Sequence, residues 1–257
     1  MDLDYLGDLF GLTDRVALVT GARHGLGRSL ALALGRAGAR VVVTGRDRDA
    51  LAPLLEDLGA LGVDAHAVAL EVTDPESVKR GVDEAAEWGG RLDIVVNNAG
   101  LSVRRKATEY KVDEWDAVLD TNLRGAFLVA TAAIDQMREG GRIVSLSSTF
   151  AVAARGERAP YAASKAGLEQ LTRVLAVEWA PKGVTVNAVA PGATPTETRR
   201  ALLEGDVERR TAEIPLGRLG RVEDAVGAVL LFCGDAGAFI TGQTLRVDGG
   251  YTLGGSV

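Results

Sequence analysis

The sequence predicts a single α/β domain in which about seven parallel strands form a doubly wound sheet with helices on both faces. Short β-branched runs alternate along the chain with longer segments of helical period, and the connections between them are short. The runs are also apolar throughout, which is typical of strands that are covered on both faces. No linker, repeat or shift in composition marks a boundary, so residues 1–257 are assigned to one domain.

Each element follows from the local pattern. The strand candidates are residues 15–20, 40–45, 64–70, 92–97, 141–147, 184–189 and 243–247. The helix candidates between them are residues 26–37, 48–61, 75–88, 114–139, 160–180 and 222–233. Gly38 and Gly62 are expected to end the first two helices. The irregular segment 191–221 is rich in Pro, Thr and charge, and it predicts a mobile substrate loop near 193–214.

Composition and charge exclude several classes of protein. Hydrophobic residues make up 47% of the chain and charged residues 25%, close to the averages for soluble globular proteins. The net charge of −6 argues against binding to nucleic-acid phosphates. No apolar run approaches the ~20 residues that a membrane helix needs, and the N-terminal MDLDYLGDLF lacks the pattern of a signal peptide. The sequence therefore predicts a cytoplasmic protein that binds neither nucleic acid nor membranes.

The metal-ligating residue types are sparse. The chain has two histidines, His24 and His66, and one cysteine, Cys233, so no internal disulfide can form. These residues show no spacing that is typical of a metal site, and no metal is expected. Cys233 lies in the run AVLLFC and is expected to pack inside a helix.

The stretch TGARHGLG, residues 20–27, lies between the first strand and the first helix. Free backbone N–H groups and the helix dipole favour an anion such as a pyrophosphate at this junction. Gly21 can form the tight turn, Gly25 lets the backbone approach phosphates, and Gly27 lets the helix pack closely. The spacing G-x-x-x-G-x-G differs from the common dinucleotide fingerprint. A tight strand–helix turn without a ligand is the alternative interpretation.

Further motifs follow this loop in a characteristic order. They are NNAG at 97–100, Ser148 thirteen residues before Tyr161, YAASK at 161–165 and PGATPT at 191–196. Together with TGARHGLG they resemble the short-chain dehydrogenase/reductase family over essentially the whole chain. The resemblance implies a Rossmann-type NAD(P)-binding domain and an enzyme that transfers a hydride between a nicotinamide cofactor and a carbonyl or secondary alcohol.

The catalytic residues that the family motifs imply are Asn122, Ser148, Tyr161 and Lys165. Tyr161 and Lys165 are four residues apart on a helical segment and so share a face. A phenol has a pKa near about 10, and a lysine ammonium nearby favours its ionised form. Tyr161 could then exchange a proton with the substrate oxygen, and Ser148, chosen over Ser145 and Ser147 by family spacing, could orient that oxygen.

Asn122 has two interpretations. It lies in DTNLRGAF and matches the family's asparagine, which kinks a helix and holds a water in the proton relay. The alternative is a polar residue that satisfies a local break in the helix.

The resemblance also predicts the cofactor contacts. They are Gly21, Arg23, His24, Gly25, Leu26, Gly27, Arg46, Glu71, Val72, Asn98, Ala99, Gly100, Tyr161, Lys165, Pro191, Gly192, Thr194 and Thr196. Asn98 is expected nearest the cofactor. Glu71 stands where the family usually has an Asp against the adenine.

The end of the second strand bears on the choice between NADP and NAD. An acid there would bond the ribose 2′-OH and repel a 2′-phosphate, but this chain has Gly45 followed by Arg46. Arg46 and Arg23 could pair with the phosphate, so NADP(H) is predicted and NAD(H) is the alternative. In that alternative both arginines are solvated and Asp47 contacts the ribose.

Basic residues surround the predicted substrate end of the sheet. They are Arg104, Arg105, Lys106, Arg155, Arg158, Arg199, Arg200, Arg209 and Arg210. They suggest a polar or anionic small molecule such as a sugar acid or polyol, unless they form a solvated face. Within the family the chain is similar to gluconate and deoxygluconate dehydrogenases and equally to 3-oxoacyl-carrier-protein reductases, whose acidic carrier protein would also suit surface arginines.

Two further expectations concern assembly and class. By resemblance, helices near 114–139 and 160–180 pair between subunits and give a homodimer or homotetramer. A non-catalytic protein that senses NADP(H) is the competing class, and the intact Ser148, Tyr161 and Lys165 argue against it.

Overall fold

The computed structural model describes residues 2–195 and 207–254, in which seven parallel strands form one sheet. The strands are β1 Val16–Val19, β2 Arg40–Gly45, β3 Ala65–Ala69, β4 Leu92–Asn97, β5 Met137–Leu146, β6 Thr185–Pro191 and β7 Thr244–Val247. Their order in the sheet is β3-β2-β1-β4-β5-β6-β7. The chain therefore reverses direction across the sheet between β1 and β4, and doubly wound folds bind ligands at that point. The predicted fold class is confirmed.

Helices cover both faces of the sheet. They are α1 Leu3–Phe10, α2 Gly25–Arg36, α3 Ala52–Ala60, α4 Pro75–Gly89, α5 Val112–Leu119, α6 Gly125–Ile134, α7 Ala159–Trp179, α8 Val207–Ala212 and α9 Val222–Cys233. One core cluster joins α2, α3 and α9 to the sheet, and a second joins α4, α6 and α7 to the opposite face. Alternate residues of β1 belong to different clusters, since Ala17 packs in the first and Leu18 in the second. Burial on both faces explains why the strands are apolar without alternation.

The helix predicted at 114–139 is wrong at its C-terminal end. The helical stretch ends at Ile134, and β5 begins at Met137, where that residue pairs with Leu92 of β4. The Met137 side chain lies over Gly141, which has no side chain of its own to fill the space. Pairing with β4 therefore overrides the local helical pattern.

The stretch Val112–Ile134 is continuous helix with a π turn at Asp120–Arg124 between α5 and α6. By length and composition this described stretch could cross a membrane, contrary to the expectation from the sequence. Helices in the core of a protein can be equally long and apolar. Here Asn122 is buried at its centre, and Val129 and Ala133 pack in the core beneath the sheet.

The ends of the first helices follow the sequence. Gly38 and Gly62 have left-handed φ angles of 101° and 73° and end α2 and α3 as expected. The short helix α1 has no predicted counterpart; it begins after Asp2, whose carboxylate accepts a hydrogen bond from the Tyr5 N–H.

Candidate active site

A large cleft runs along the carboxyl ends of the strands. It is lined by the loops that follow β1, β2, β3, β4 and β5, and by the end of β6. Its volume of about 1560 Å³ exceeds the roughly 300–1,000 Å³ of sites for a single small ligand. The cleft therefore has room for a dinucleotide together with a second small molecule.

The glycine loop forms one wall of this cleft. Gly21 has a left-handed φ of 63°, and a Cβ there would lie 2.9 Å from the Ala99 Cα. Gly25 has a φ of 59° and begins α2. His24 is the N-cap residue but its side chain makes no capping hydrogen bond. The side chain of the N-cap residue therefore leaves the first N–H groups of α2 uncapped. Such N–H groups are the donors that an anion uses when it binds at the start of a helix.

Gly27, which has no side chain, lets the glycine loop pack closely against Asn98. A Cβ on Gly27 would lie 2.5 Å from the Gly21 carbonyl oxygen and would overlap the Asn98 amide. The Asn98 Nδ2 donates to the carbonyl oxygens of Thr20 at 2.9 Å and Gly21 at 3.0 Å. Asn98, expected nearest the cofactor, lines the cleft, and its amide clamps the glycine loop.

Thr20 completes this clamp and was missed by sequence reasoning. Its Oγ1 accepts hydrogen bonds from the backbone N–H of Asn98 at 3.0 Å and of Ala99 at 3.1 Å. The side chain is fully buried between β1 and β4. A hydroxyl residue at the last strand position before the glycines is the signal that could have identified it.

Two arginines stand at the end of the cleft beside β2. Gly45 ends β2, and Arg46 and Arg23 are exposed and line the cleft. Within the described parts of the chain, neither guanidinium is paired with a carboxylate. Asp47 also lines the cleft, but one of its carboxylate oxygens already accepts a hydrogen bond from the Asp49 N–H at 3.0 Å.

Glu71 and Val72 follow β3 at the same end. The Glu71 carboxylate accepts hydrogen bonds from the Thr73 N–H at 3.1 Å and the Thr73 hydroxyl at 2.9 Å. Val72 is buried, and a Cβ on Gly125 would lie 2.9 Å from one of its methyl groups. The Glu71 carboxylate is thus held by hydrogen bonds within its own turn. Glu71 nevertheless lines the cleft.

Ser148, Tyr161 and Lys165 all line the cleft. Tyr161 and Lys165 lie on the first turns of α7, and the Lys165 Nζ is 5.8 Å from the centre of the Tyr161 ring. Lys165 is buried, and its Nζ donates to the Leu146 carbonyl oxygen at 2.6 Å. The Ser148 Oγ accepts a hydrogen bond from the Phe150 N–H at 3.3 Å. An ammonium group close to a phenol is an arrangement suited to proton transfer.

Asn122 lies in the π turn below these residues. Its Oδ1 accepts from the Leu101 N–H at 2.7 Å, and its Nδ2 donates to the Leu101 carbonyl at 2.9 Å and to the Ser164 Oγ at 3.0 Å. The helix is not broken here but continues through the π turn, and the amide joins the loop after β4 to α7. A Cβ on Gly100 would lie 3.4 Å from the Asn122 Oδ1 and 3.9 Å from the Lys165 Nζ, so Gly100 separates the two side chains. The proton-relay role of Asn122 stays a prediction.

Comparison with known proteins agrees with this geometry. The sequence model of a family described as enoyl-(acyl carrier protein) reductase matches residues 21–252, which contain every motif except the first residue of TGARHGLG, Thr20. The chain belongs to the short-chain dehydrogenase/reductase family. It is an oxidoreductase that acts on alcohol or ketone groups, as the resemblance predicted.

The relatives within the family divide between two substrate classes. The 3-oxoacyl-[acyl-carrier-protein] reductase of Pseudomonas aeruginosa is 39% identical over 244 residues, which cover 94% of this chain and 99% of that protein. The gluconate 5-dehydrogenase of Gluconobacter oxydans is 37% identical over 250 residues, which cover 96% and 98%. A crystal structure of a gluconate 5-dehydrogenase from Burkholderia cenocepacia in complex with NADP and tartrate superimposes with a TM-score of 0.91 at 35% identity, covering 96% of this chain and 99% of that one.

The end of β6 and the residues that follow it line the same cleft. Pro191, Gly192 and Thr194 line the cleft, whereas Thr196 lies outside the described residues. A Cβ on Gly192 would lie 3.0 Å from the Asp248 Cα. Burial tends to raise the pKa of the Asp248 carboxyl, but hydrogen bonds from Thr252 and Gly250 outweigh it and lower the pKa.

The basic residues near the substrate end divide into two groups. Arg104, Arg155, Arg158 and Arg210 line the cleft, but Arg105, Lys106 and Arg209 do not. Arg199 and Arg200 lie outside the described residues.

Most of these arginines have polar partners in the structure. Arg104 pairs with Glu157 and Arg105 with Glu114, and the hydrogen bonds from Arg105 lower the pKa of the Glu114 carboxyl. In the cleft, Arg158 donates to the Ser102 Oγ at 2.6 Å, and Arg155 approaches Glu213 at 3.4 Å. At Arg104, Arg105 and Arg155 the predicted basic surface therefore consists of compensated pairs.

Proposed function

We propose that this short-chain dehydrogenase/reductase transfers a hydride between NADP(H) and a small, polar, anionic carbonyl or alcohol substrate such as a sugar acid. The observation that carries the proposal is that one cleft is lined by Ser148, Tyr161 and Lys165 together with several arginines. Gly21 and Gly27, where a Cβ would strike neighbouring atoms, shape the wall for the dinucleotide. A polyol is the related alternative substrate.

The residues divide the chemistry as follows. The nicotinamide ring supplies or accepts the hydride when the cofactor is bound. Tyr161 gives its hydroxyl proton to the substrate oxygen during reduction and takes it back during oxidation. The Lys165 ammonium stabilises the phenolate that remains, and the Ser148 hydroxyl holds the reacting oxygen. Phe150 packs its ring edge-on at 6.3 Å from the Tyr161 ring and limits its movement.

Replacing Tyr161 by Phe tests the acid/base assignment. The variant keeps the ring and its packing but lacks the proton, so kcat should fall by about 10²- to 10⁴-fold. The Kd for NADPH, measured by fluorescence, should change far less than kcat, because the other cofactor contacts remain. Full turnover by Tyr161→Phe would refute the assignment, and a wild-type protein that binds NADPH but turns over no substrate would favour the NADP(H)-sensing class.

The preference for NADP(H) rests on Arg23 and Arg46. Both guanidiniums line the cleft at the end of β2 without a carboxylate partner among the described residues. A charge-assisted hydrogen bond to a 2′-phosphate is worth about 1.5–3 kcal/mol. Arg46→Asp should therefore lower the ratio of kcat/KM for NADPH over NADH by about 10- to 100-fold.

Arg48→Asp is the matched control for this experiment. Arg48 is exposed two residues further on but does not line the cleft, and its guanidinium faces Glu84 at 3.4 Å. The charge change is the same, so the cofactor ratio should stay unchanged. An equal change in both variants would show a general electrostatic effect and contradict direct contact with the 2′-phosphate.

The surface charges favour a small substrate over an acidic carrier protein. Arg104 and Arg105 are compensated by Glu157 and Glu114, which weakens the basic surface that a carrier protein would need. Arg158, which donates to the Ser102 hydroxyl at 2.6 Å, lines the cleft itself, where a carboxylate on a small molecule could reach it. The gluconate 5-dehydrogenase relatives, one crystallised with NADP and tartrate, support this class.

A 3-oxoacyl-carrier-protein reductase is the second candidate function. It is supported by the 39% identity to the Pseudomonas aeruginosa enzyme and by the description of the matching family. A panel of sugar acids, polyols and 3-oxoacyl thioesters, assayed with NADP(H) and NAD(H) by nicotinamide absorbance, separates the two. We expect the highest kcat/KM with a sugar acid; turnover restricted to acyl thioesters would overturn the substrate proposal.

The same proposal includes a cytoplasmic homodimer or homotetramer. The helices α6 and α7, which the resemblance pairs between subunits, carry the exposed apolar residues Phe127, Val174 and Val177. Covering them with a second copy would remove apolar surface from water. Light scattering at micromolar concentration should give a dimer or tetramer, and a monomer alone would contradict this assembly.

A further inference from the structure

Glu169 is a buried carboxylate next to the catalytic residues. It lies two helical turns after Tyr161 and one turn after Lys165, so the three side chains share one face of α7. The Glu169 side chain is only 6% exposed. Its Oε1 accepts a hydrogen bond from the Ser147 hydroxyl at 2.9 Å, and its Oε2 accepts one from Arg246 of β7 at 3.2 Å.

Ser147 connects this carboxylate to the end of β5. It directly precedes Ser148, and its backbone N–H donates to the Val189 carbonyl oxygen at 2.7 Å. One residue earlier, the Leu146 carbonyl accepts the hydrogen bond from the Lys165 Nζ at 2.6 Å. The end of β5 is thus tied to α7 by two side chains, one from each of two successive turns. The separation between Ser148 and Tyr161 depends on this junction.

The fold alone does not require an acid at position 169. Burying a carboxylate is costly, and a well-packed apolar residue in place of a buried ion pair is often neutral or stabilising. The Ser147 hydroxyl would then lack its acceptor at 2.9 Å, and its remaining neighbour, the Lys165 carbonyl oxygen, is 3.5 Å away. The pair with Arg246 offsets the charge of Glu169 and leaves Oε1 for Ser147.

We propose that Glu169 is a positioning residue, whose carboxylate fixes Ser147 and thereby holds Ser148 in register with Tyr161 and Lys165. Arg246 neutralises the carboxylate from β7. The inference rests on the proposed roles of Ser148, Tyr161 and Lys165, and it adds a group that acts through them without contacting the substrate.

The test compares kcat, KM and the thermal midpoint in variants of both partners. Ser147→Ala and Glu169→Leu each remove the bond, and misplacement of a catalytic group should lower kcat by about 10- to 100-fold. Glu169→Gln retains an oxygen that can accept from Ser147, so it should keep most of the wild-type kcat. The double variant Ser147→Ala with Glu169→Leu should be no slower than either single variant, because both remove the same bond. The Kd for NADPH should stay unchanged throughout.

Ser145→Ala is the matched control. Ser145 is buried on β5, two residues before Ser147, and no side-chain hydrogen bond joins it to α7 among the described residues. Its loss should leave kcat unchanged. A loss of kcat in Ser145→Ala equal to that in Ser147→Ala, or additive losses in the double variant, would show a merely structural effect and overturn the proposal.

The assays use NADP⁺ with gluconate, or NADPH with an acetoacetyl thioester if that substrate is turned over faster. Tyr161→Phe is included to separate the two levels of inference. Turnover that survives Tyr161→Phe would refute the proposed acid/base residue itself. Turnover that is lost in Tyr161→Phe but kept in full by Ser147→Ala and Glu169→Leu would refute only the positioning role of Glu169.

Discussion

The two halves of the cleft are built in different ways. In the cofactor half, around the β1–α2 loop, the left-handed residues are Gly21 and Gly25, and the backbone is held by the side chains of Thr20 and Asn98. In the substrate half, after β4 and β5, the left-handed residue is Glu157, with a φ of 64°. Glu157 is not a glycine, so its conformation has to be held by its neighbours.

Those neighbours are charged and polar side chains. The Glu157 carboxylate pairs with Arg104, and its carbonyl oxygen accepts hydrogen bonds from the Tyr110 hydroxyl at 3.1 Å and the Arg105 N–H at 3.3 Å. The cofactor half thus presents backbone atoms, which suit any dinucleotide phosphate. The substrate half presents side chains, which can be exchanged without changing the loop that binds the cofactor. This difference lets one fold combine a common cofactor with varied substrates.

Gly27→Ala should have the largest effect and should fall on the cofactor half. The new Cβ would lie 2.5 Å from the Gly21 carbonyl oxygen and would displace the Asn98 amide. Overpacking of this kind costs about 1–3 kcal/mol, which corresponds to a rise of up to about 100-fold in the Kd for NADPH if the loop takes up the strain. Fluorescence titration with NADPH measures it.

Gly59→Ala is the control for that substitution. Gly59 is exposed within α3, and a Cβ there would meet nothing within 4 Å. The change should stabilise the protein by about 0.4–1 kcal/mol and leave the Kd for NADPH unchanged. If Gly27→Ala bound NADPH as tightly as Gly59→Ala, the glycine loop would not be sterically constrained in the way that distinguishes the two halves.

Arg158→Gln should have a smaller effect, confined to the substrate half. Arg158 precedes α7, donates to Ser102 and lines the cleft. Removing its charge should raise the KM for gluconate about tenfold, the lower end of the range for a hydrogen bond to a charged group. Arg105→Gln, which removes a charge paired with Glu114 outside the cleft, should leave that KM unchanged. A change in the Kd for NADPH in Arg158→Gln would contradict the separation of the halves.

The same division explains what could be predicted from the sequence. The glycine loop and the Tyr161–Lys165 pair are local patterns, whose spacing specifies a turn or a helix face without reference to the rest of the chain. The Asn98 clamp joins residues 78 positions apart, and the pair between Glu169 and Arg246 joins residues 77 apart. Only the assembled sheet brings such residues together, so residue type and spacing could not identify them.

The same reason explains one point that the sequence left open and one that it predicted wrongly. The sequence shows a cluster of arginines but not their carboxylate partners, so it could not decide between a basic binding surface and charges that are compensated, as at Arg104 and Arg105. The end of the helix at Ile134 likewise depends on the pairing of Met137 with Leu92 in another strand. In both cases a contact between distant segments decided the outcome over the local pattern.

Asp224→Asn should have the smallest effect and tests how the segment before α9 is attached to the core. Asp224 lies in the first turn of α9, where its carboxylate accepts hydrogen bonds from Arg218 at 2.6 and 3.0 Å and from the Arg221 N–H at 2.7 Å. The hydrogen bonds from Arg218, and then the one from Arg221, hold the pKa of this carboxyl well below its usual range. Loss of this cap should lower the free energy of unfolding by about 1 kcal/mol at neutral pH.

The pH dependence of that loss has a definite sign. Because the folded-state pKa of Asp224 is lowered, its stabilisation is fully present above the pKa of an unfolded Asp, about 3.9, and disappears as the pH falls through the folded value. The difference in unfolding free energy between wild type and Asp224→Asn, measured in urea, should therefore be smaller at acidic pH than at neutral pH. A difference independent of pH would refute the ionic contribution. Asp224→Asn should also leave the Kd for NADPH unchanged. A change in that Kd would show that the anchoring of the segment before α9 affects the glycine loop.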